Sequence, residues 1–152
     1  MKICDVLQKE AILADLKAQN KKGILEELVA PVSEIAQVDK EDLVKVLMER
    51  ERLGSTGIGG GIGIPHGKMK DIDSLVLGFG LSRKGVDFES LDGQPTHIFF
   101  LLITPENSTG LHLKLLARIS RILKDDPFKT RLLNAANRDE ILDIINEEDE
   151  DF

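Results

Sequence analysis

The chain holds no tryptophan, no tyrosine and one cysteine, Cys4. Six phenylalanines are its only benzenoid rings, which removes the stacking platforms that single-stranded nucleic acids use. A lone thiol excludes an internal disulfide and any cysteine-based zinc site, and it suits a reducing compartment. Positive charge is in deficit: 20 Lys and Arg face 27 Asp and Glu, a net charge of −7. Affinity for nucleic acid rests on neutralising phosphates with cations, so no nucleic-acid partner is expected. No apolar run approaches the roughly 18 residues of a membrane span. The opening MKICDVLQKEAIL carries charges throughout, so neither a signal peptide nor membrane insertion is expected. These absences describe a cytoplasmic, acidic protein, and 152 residues suit one domain.

The patterning that is present alternates between helix and strand. Ile3 to Leu16 is short and mixed, and Ala11-Ile12-Leu13 opens either a strand or a turn. Ile24, Leu25, Leu28, Val29, Val32 and Ile35 recur at helical spacing, with Pro31 expected to kink or break that helix. Asp39 is a candidate N-cap for a second helix running to about Glu51, which puts Arg50 in its last turn. Two apolar runs, Leu75–Leu81 and Ile98–Ile103, read as strands, the second continuous enough to be buried on both faces. Helical patterns follow from Leu111 to near Asp125-Asp126-Pro127, from about Phe128 to Ala136, and from an Asn137–Glu140 capping box to Ile145. The fold class is α/β: a single domain with a mixed central β-sheet flanked by helices, over residues 1–146. Residues 147–152 are expected to form a solvated, frayed acidic tail.

Seven of the 13 glycines lie between Gly54 and Gly67, in GSTGIGGGIGIPHG. Neither nucleotide fingerprint fits. The third glycine of G-x-G-x-x-G falls on Ile62, Ile64 or His66, and Gly67-Lys68 is followed by Met69 rather than Ser or Thr. Such density implies close approach of backbone to something, or N–H groups presented to an anion. The segment ends on His66, an imidazole that is largely neutral at pH 7 and therefore available as a nucleophile. A purely structural histidine is the alternative. His112 lies on the wheel with Leu115, Leu116 and Ile119, pointing inward from the first turn of its helix, where the dipole disfavours the cation. His97 opens a strand and has no partner in the pattern, so a surface position is expected. Three histidines with no H-x-x-x-H pair do not make a metal-ligand pattern, and no metal or cofactor is expected.

The stretch Glu49-Arg50-Glu51-Arg52-Leu53-Gly54-Ser55-Thr56-Gly57-Ile58-Gly59 through Ile64-Pro65-His66-Gly67-Lys68 resembles the active-site signature of one family. That family is the enzyme IIA domains of the bacterial phosphotransferase system, in the fructose/mannitol class. Leu111-His112-Leu113-Lys114-Leu115-Leu116-Ala117 with Ser120-Arg121 resembles its second signature, and the resemblance covers about Ile3 to Ile145. The Gly-Ser-Thr-Gly-Ile-Gly wording and the length look most like the nitrogen-related enzyme IIA, a regulatory branch. The resemblance implies that His66 takes a phosphoryl group from a histidine-containing phosphocarrier protein. It implies His112 as the second active-site histidine and Arg50 as the basic residue beside the phosphoryl group. Thr56, Gly67 and Lys68 are further candidates for phosphoryl contact. Gly60 and Gly63 stand where the family frequently has Asn and Ala, which puts the rigidity of the segment in question.

Three functions compete. One is a relay passing phosphoryl from the phosphocarrier to the cysteine of an enzyme IIB during sugar uptake. Another is a regulator whose phosphorylation state decides which proteins it binds; the loop wording and the lack of a fused IIB or transporter domain favour it. The last is an unphosphorylated scaffold that uses the glycine segment as an anion site, and His66, Arg50 and His112 together argue against it.

Overall fold

In a computed structural model, which describes residues 2–150, a six-stranded mixed sheet lies between two helical layers. A 3-10 turn, Ile3–Asp5, leads into β1 (Leu7–Leu13), then α1 (Lys21–Ala36) and α2 (Lys40–Arg52). The glycine-rich segment forms three short strands, β2 (Gly57–Gly59), β3 (Ile62–Gly63) and β4 (His66–Met69). Two long strands, β5 (Val76–Val86) and β6 (Thr96–Pro105), precede α3 (Thr109–Ile122), α4 (Asp126–Leu133) and α5 (Arg138–Glu150). The order across the sheet is β1-β5-β6-β3-β2, with β4 also on β6. β5 and β6 pair antiparallel, whereas β1 joins β5 in parallel and both β3 and β4 run parallel to β6.

The alternation of β6 decides which helices cover which face. Ile98, Phe100 and Leu102 pack into the core formed with α3, α4 and α5, while Phe99, Leu101 and Ile103 pack against α1 and α2. A strand buried on both faces reads as an unbroken apolar run, as expected for Ile98–Ile103. Edge-to-face phenylalanine pairs mark each layer, Phe79 with Phe100 and Phe88 with Phe99.

The caps read from the sequence are present. Asp39 accepts the Asp42 N–H at 3.1 Å, and Asn137 accepts the Glu140 N–H at 3.0 Å. Glu140 reaches back to the Ala136 N–H at 2.7 Å, one residue before the reciprocal partner a strict capping box would use.

One open choice is resolved and two expectations are corrected. The uncertain N-terminal stretch is a 3-10 turn followed by a strand. Pro31 does not break α1, because the buried residues Ile24, Leu25, Leu28, Val29 and Val32 straddle it; core packing across the proline outweighs one missing hydrogen bond. The acidic end is not frayed within the described residues: α5 runs to Glu150 and Asp149 is wholly buried.

Candidate active site

The glycine-rich segment is a hairpin and an edge strand rather than an open loop. Gly59, Gly60 and Gly61 form its tip with φ of 98°, 67° and 80°, a region that side chains other than Asn and Asp rarely enter. Gly60 therefore suits a position where the family often has Asn. The tip is tied down, since Asp92 accepts the Gly60 N–H at 3.0 Å. These glycines turn the chain and admit neighbours; the tip amide of Gly60 is not presented to a free anion.

β3 and β4 follow one another along the same edge of β6, with Ile64-Pro65 between them. Proline has no N–H to offer a ladder, which fits an edge, and the Pro65 carbonyl still accepts the Leu102 N–H at 3.0 Å. His66 pairs with Leu102 and Lys68 with Thr104. Parallel partners share a face, so His66, Lys68 and Thr104 all lie on the side covered by α3. Gly67 faces the other way, towards α2, where a Cβ would meet Val46 at 2.9 Å.

His66 and His112 meet edge to face, their ring centroids 5.2 Å apart and their planes at 67°. The Ile64 carbonyl lies 2.7 Å from His66 Nδ1. A carbonyl only accepts, so Nδ1 carries the proton and the lone pair of the neutral ring is on Nε2. Burial lowers the His66 pKa from 6.5, and Arg50 adds in the same direction against the opposing pull of the Ile64 carbonyl and Glu51. His112 is buried, with Nδ1 2.8 Å from the Thr104 hydroxyl. Its pKa falls to about 4, first through burial and then through His66 and Lys68. Both rings are thus held neutral near pH 7.

Arg50 occupies the last turn of α2, as expected, and donates from Nη1 to the Gly54 carbonyl at 2.9 Å. Thr56 is buried and gives both its N–H, at 3.1 Å, and its hydroxyl to the Glu51 carboxylate. Its hydroxyl proton is therefore engaged within the protein. His97 is half-buried, not a surface side chain, and holds the Ser82 carbonyl at 2.9 Å through Nδ1. Among the described residues no three His, Cys, Asp or Glu side chains converge in a way that would hold a metal ion. No helix of the described chain is long and apolar enough to cross a membrane.

Two participants escape the sequence reading. Thr104 continues the even-numbered face of β6, a polar residue at the end of an apolar alternation. Glu51 follows Leu43 and Leu47 at four-residue steps, a carboxylate on the buried stripe of α2. Each is a polar group at a core position, and that is the signal that would have found it.

Residues 5–148 match the model of the phosphoenolpyruvate-dependent sugar phosphotransferase system, EIIA 2. The chain belongs to this family. It is 42% identical to a nitrogen regulatory protein of Bradyrhizobium diazoefficiens over 91% of this chain and 90% of that one. It is 37% identical to the fructose-specific EIIABC component of Bacillus subtilis, over 98% of this chain but 24% of that longer protein. The crystal structure of nitrogen regulatory protein IIA-Ntr from Neisseria meningitidis superposes with a TM-score of 0.89 at 30% identity, covering 94% of this chain and 98% of that one. The mixed sheet between helical layers is thus the enzyme IIA fold of the fructose/mannitol type. As an enzyme IIA domain the protein is a phosphoryl-transfer component of the phosphotransferase system. Such domains relay phosphoryl groups between a histidine-containing phosphocarrier and an enzyme IIB.

Proposed function

We propose that Nε2 of His66 accepts the phosphoryl group from a histidine-containing phosphocarrier and that the phosphorylated protein acts mainly as a regulator. The observation that carries the first half is the 2.7 Å bond between His66 Nδ1 and the Ile64 carbonyl. It leaves a lone pair on Nε2 of a ring already neutral at pH 7. As the P–Nε2 bond forms, the donor's P–N bond breaks and the donor imidazole keeps that electron pair. No proton has to leave His66. The ring becomes cationic, and its Nδ1–H bond to Ile64 strengthens into a charge-assisted one.

Arg50 and His112 supply the compensation for the phosphoryl oxygens. Arg50 is a permanently charged planar donor. His112 donates from Nε2 if the Thr104 hydroxyl gives its proton to Nδ1, the orientation this reading assigns to the 2.8 Å contact. Lys68, on the same face of β4, adds a second positive charge near His112. Fixed donors of this kind stabilise transferring phosphoryl groups without reorganising.

Regulation is supported by the 42% identity to a protein named for nitrogen regulation. Phosphorylation adds about −1.5 to −2 charges by analogy with other phospho-residues. A partner seated over His66 without a matching cation would have to desolvate that charge and would be expelled. The second reading, a relay to an enzyme IIB cysteine in fructose- or mannitol-type uptake, is favoured by the 37% identity to a fructose-specific component.

The test begins with incubation in phosphoenolpyruvate, enzyme I and a phosphocarrier, followed by intact mass before and after mild acid. One acid-labile phosphoryl group, lost in His66→Ala, is expected; full phosphorylation of His66→Ala overturns the assignment. Partner capture with the phosphorylated wild type beside His66→Ala then separates the two outputs. Different partner sets support regulation. Identical sets, together with efficient transfer to an enzyme IIB and on to a sugar, support uptake.

A further inference from the structure

Behind His66, a buried ion pair ties together α1, α2 and the start of the glycine-rich segment. Glu51, only 7% exposed, takes the Thr56 N–H at 3.1 Å on Oε1 and the Thr56 hydroxyl on Oε2. Lys21, in the first turn of α1, lies 3.0 Å from the same Oε1, with its Nζ 4.9 Å from the centre of the Phe88 ring. The Thr56 carbonyl accepts the Ile64 N–H at 3.0 Å, and the Ile64 carbonyl accepts from His66 Nδ1 at 2.7 Å. An unbroken chain of contacts therefore runs Lys21–Glu51–Thr56–Ile64–His66.

We propose that Glu51 and Thr56 are positioning residues that hold His66 in its Nδ1–H tautomer through the Ile64 backbone, and that the Thr56 hydroxyl serves this chain rather than the phosphoryl group. The inference rests on the reading of His66 as phosphoryl acceptor. Its physical basis is the doubly fixed residue 64. Ile64 is held by its N–H from one side, and the ring of Pro65 restricts it from the other. Its carbonyl is thereby aimed at the imidazole. A histidine ring in water prefers the proton on Nε2, which would remove the lone pair from the transferring nitrogen. The carbonyl reverses that preference only while it stays aimed. Glu51 is the anchor because its carboxylate binds both donors of Thr56 at once, and Lys21 neutralises it so that it can remain buried.

The test pairs two readouts: the 15N shifts of the His66 ring in the unphosphorylated protein, and single-turnover transfer from a phosphorylated phosphocarrier. The variants are Thr56→Val, Thr56→Ser, Glu51→Gln and the double Lys21→Met/Glu51→Gln, which leaves no unpaired buried charge if Glu51→Gln alone fails to fold. In Thr56→Val and in the Glu51 variants, the Nε2–H tautomer is expected to gain population. Transfer should slow about tenfold while the donor KM stays within about twofold. Thr56→Ser keeps the hydroxyl and should match wild type in both. Folded variants whose ring shifts do not move would overturn the proposal. So would a Thr56→Val that transfers slowly with a wild-type ring beside a Glu51→Gln that transfers normally, since Thr56 would then touch the phosphoryl group directly. Phosphorylation of the wild type at another residue would sink the acceptor reading alone, because the ring shifts test the chain without any phosphoryl group.

Discussion

Val46 sits against the backbone of Gly67, so closely that a Cβ on Gly67 would lie 2.9 Å from Val46 Cγ1. This contact presses α2 onto β4, and each partner is next to a site residue. Arg50 comes one helical turn after Val46, and His66 immediately precedes Gly67. The spacing between the guanidinium and the imidazole therefore depends on the missing side chain at position 67.

Gly67→Ala is expected to force α2 away from β4. Overpacking of this kind costs about 1–3 kcal/mol of stability, and phosphoryl acceptance should slow with it. Val46→Ala placed in the same chain vacates the space and should restore both. Thermal unfolding and single-turnover transfer read the two effects. A double variant as slow as Gly67→Ala would assign the loss to the Gly67 backbone itself rather than to the helix.

The depressed pKa of His112 makes a pH prediction with a definite sign. Between about 4 and the ordinary 6.5, His112 is protonated in the unfolded chain and neutral in the folded one. The unfolded state binds more protons there, so stability rises with pH across that window and falls as acid is added. His66, also lowered, contributes in the same direction. Denaturant unfolding from pH 4 to 7 should show the slope, and His112→Gln should flatten it. In the phosphorylated protein the new charge beside His112 should raise its pKa, visible as a titration of its ring resonances at higher pH.

The helices and long strands were legible because each carries a local period, and Asp39 and Asn137 announced two starts. His66 and His112 stood out through residue type and placement, and Arg50 only through the resemblance of its segment to a family signature. What was hidden depends on register between distant segments. That Lys68 lies opposite Thr104, and His66 opposite Leu102, follows from the parallel pairing of an edge strand with β6, which no local pattern encodes. The glycines advertised close approach without naming the neighbour: at Gly67 it is Val46, and at Gly63 it is the ring of Phe99, 3.1 Å from where a Cβ would lie. The same limit hid the acidic end, since charges read as solvated unless a partner across the fold is known.

Arg50→Lys should separate a site role from a helix-end charge. Either cation suits the C-terminal end of α2, so stability should change little. One guanidinium nitrogen is already spent on the Gly54 carbonyl, 2.9 Å away, and an ammonium has no second arm for the phosphoryl oxygens. Loss of one preorganised donor commonly raises the transfer barrier by about 2.7–4 kcal/mol. Wild-type transfer by Arg50→Lys would reduce Arg50 to a helix-end charge.

Asp149 turns the last turn of α5 into a clamp on the other end of the chain. Its Oδ1 accepts from Arg118 Nε at 2.6 Å and its Oδ2 accepts the Cys4 N–H at 3.1 Å, while its backbone carbonyl takes Arg118 Nη2 at 2.5 Å. One carboxylate thus joins α3, α5 and the N-terminal 3-10 turn, with no exposed surface of its own. Removing one member of a buried ion pair leaves the other charge unpaired, at a cost of about 3–5 kcal/mol. Asp149→Ala is expected to lose that much, and truncation after Asn146 should lose at least as much, since it removes the clamp and the final turn together. Asp149→Asn keeps one of the two acceptor oxygens but sets an NH2 donor against the other N–H group, and should fall between wild type and Asp149→Ala. Added salt should not erase the difference, because a buried pair is weakly screened. Chemical denaturation of the three variants at low and high ionic strength makes the comparison. A truncated chain as stable as wild type would return residues 147–152 to the solvated tail that their charge alone suggests.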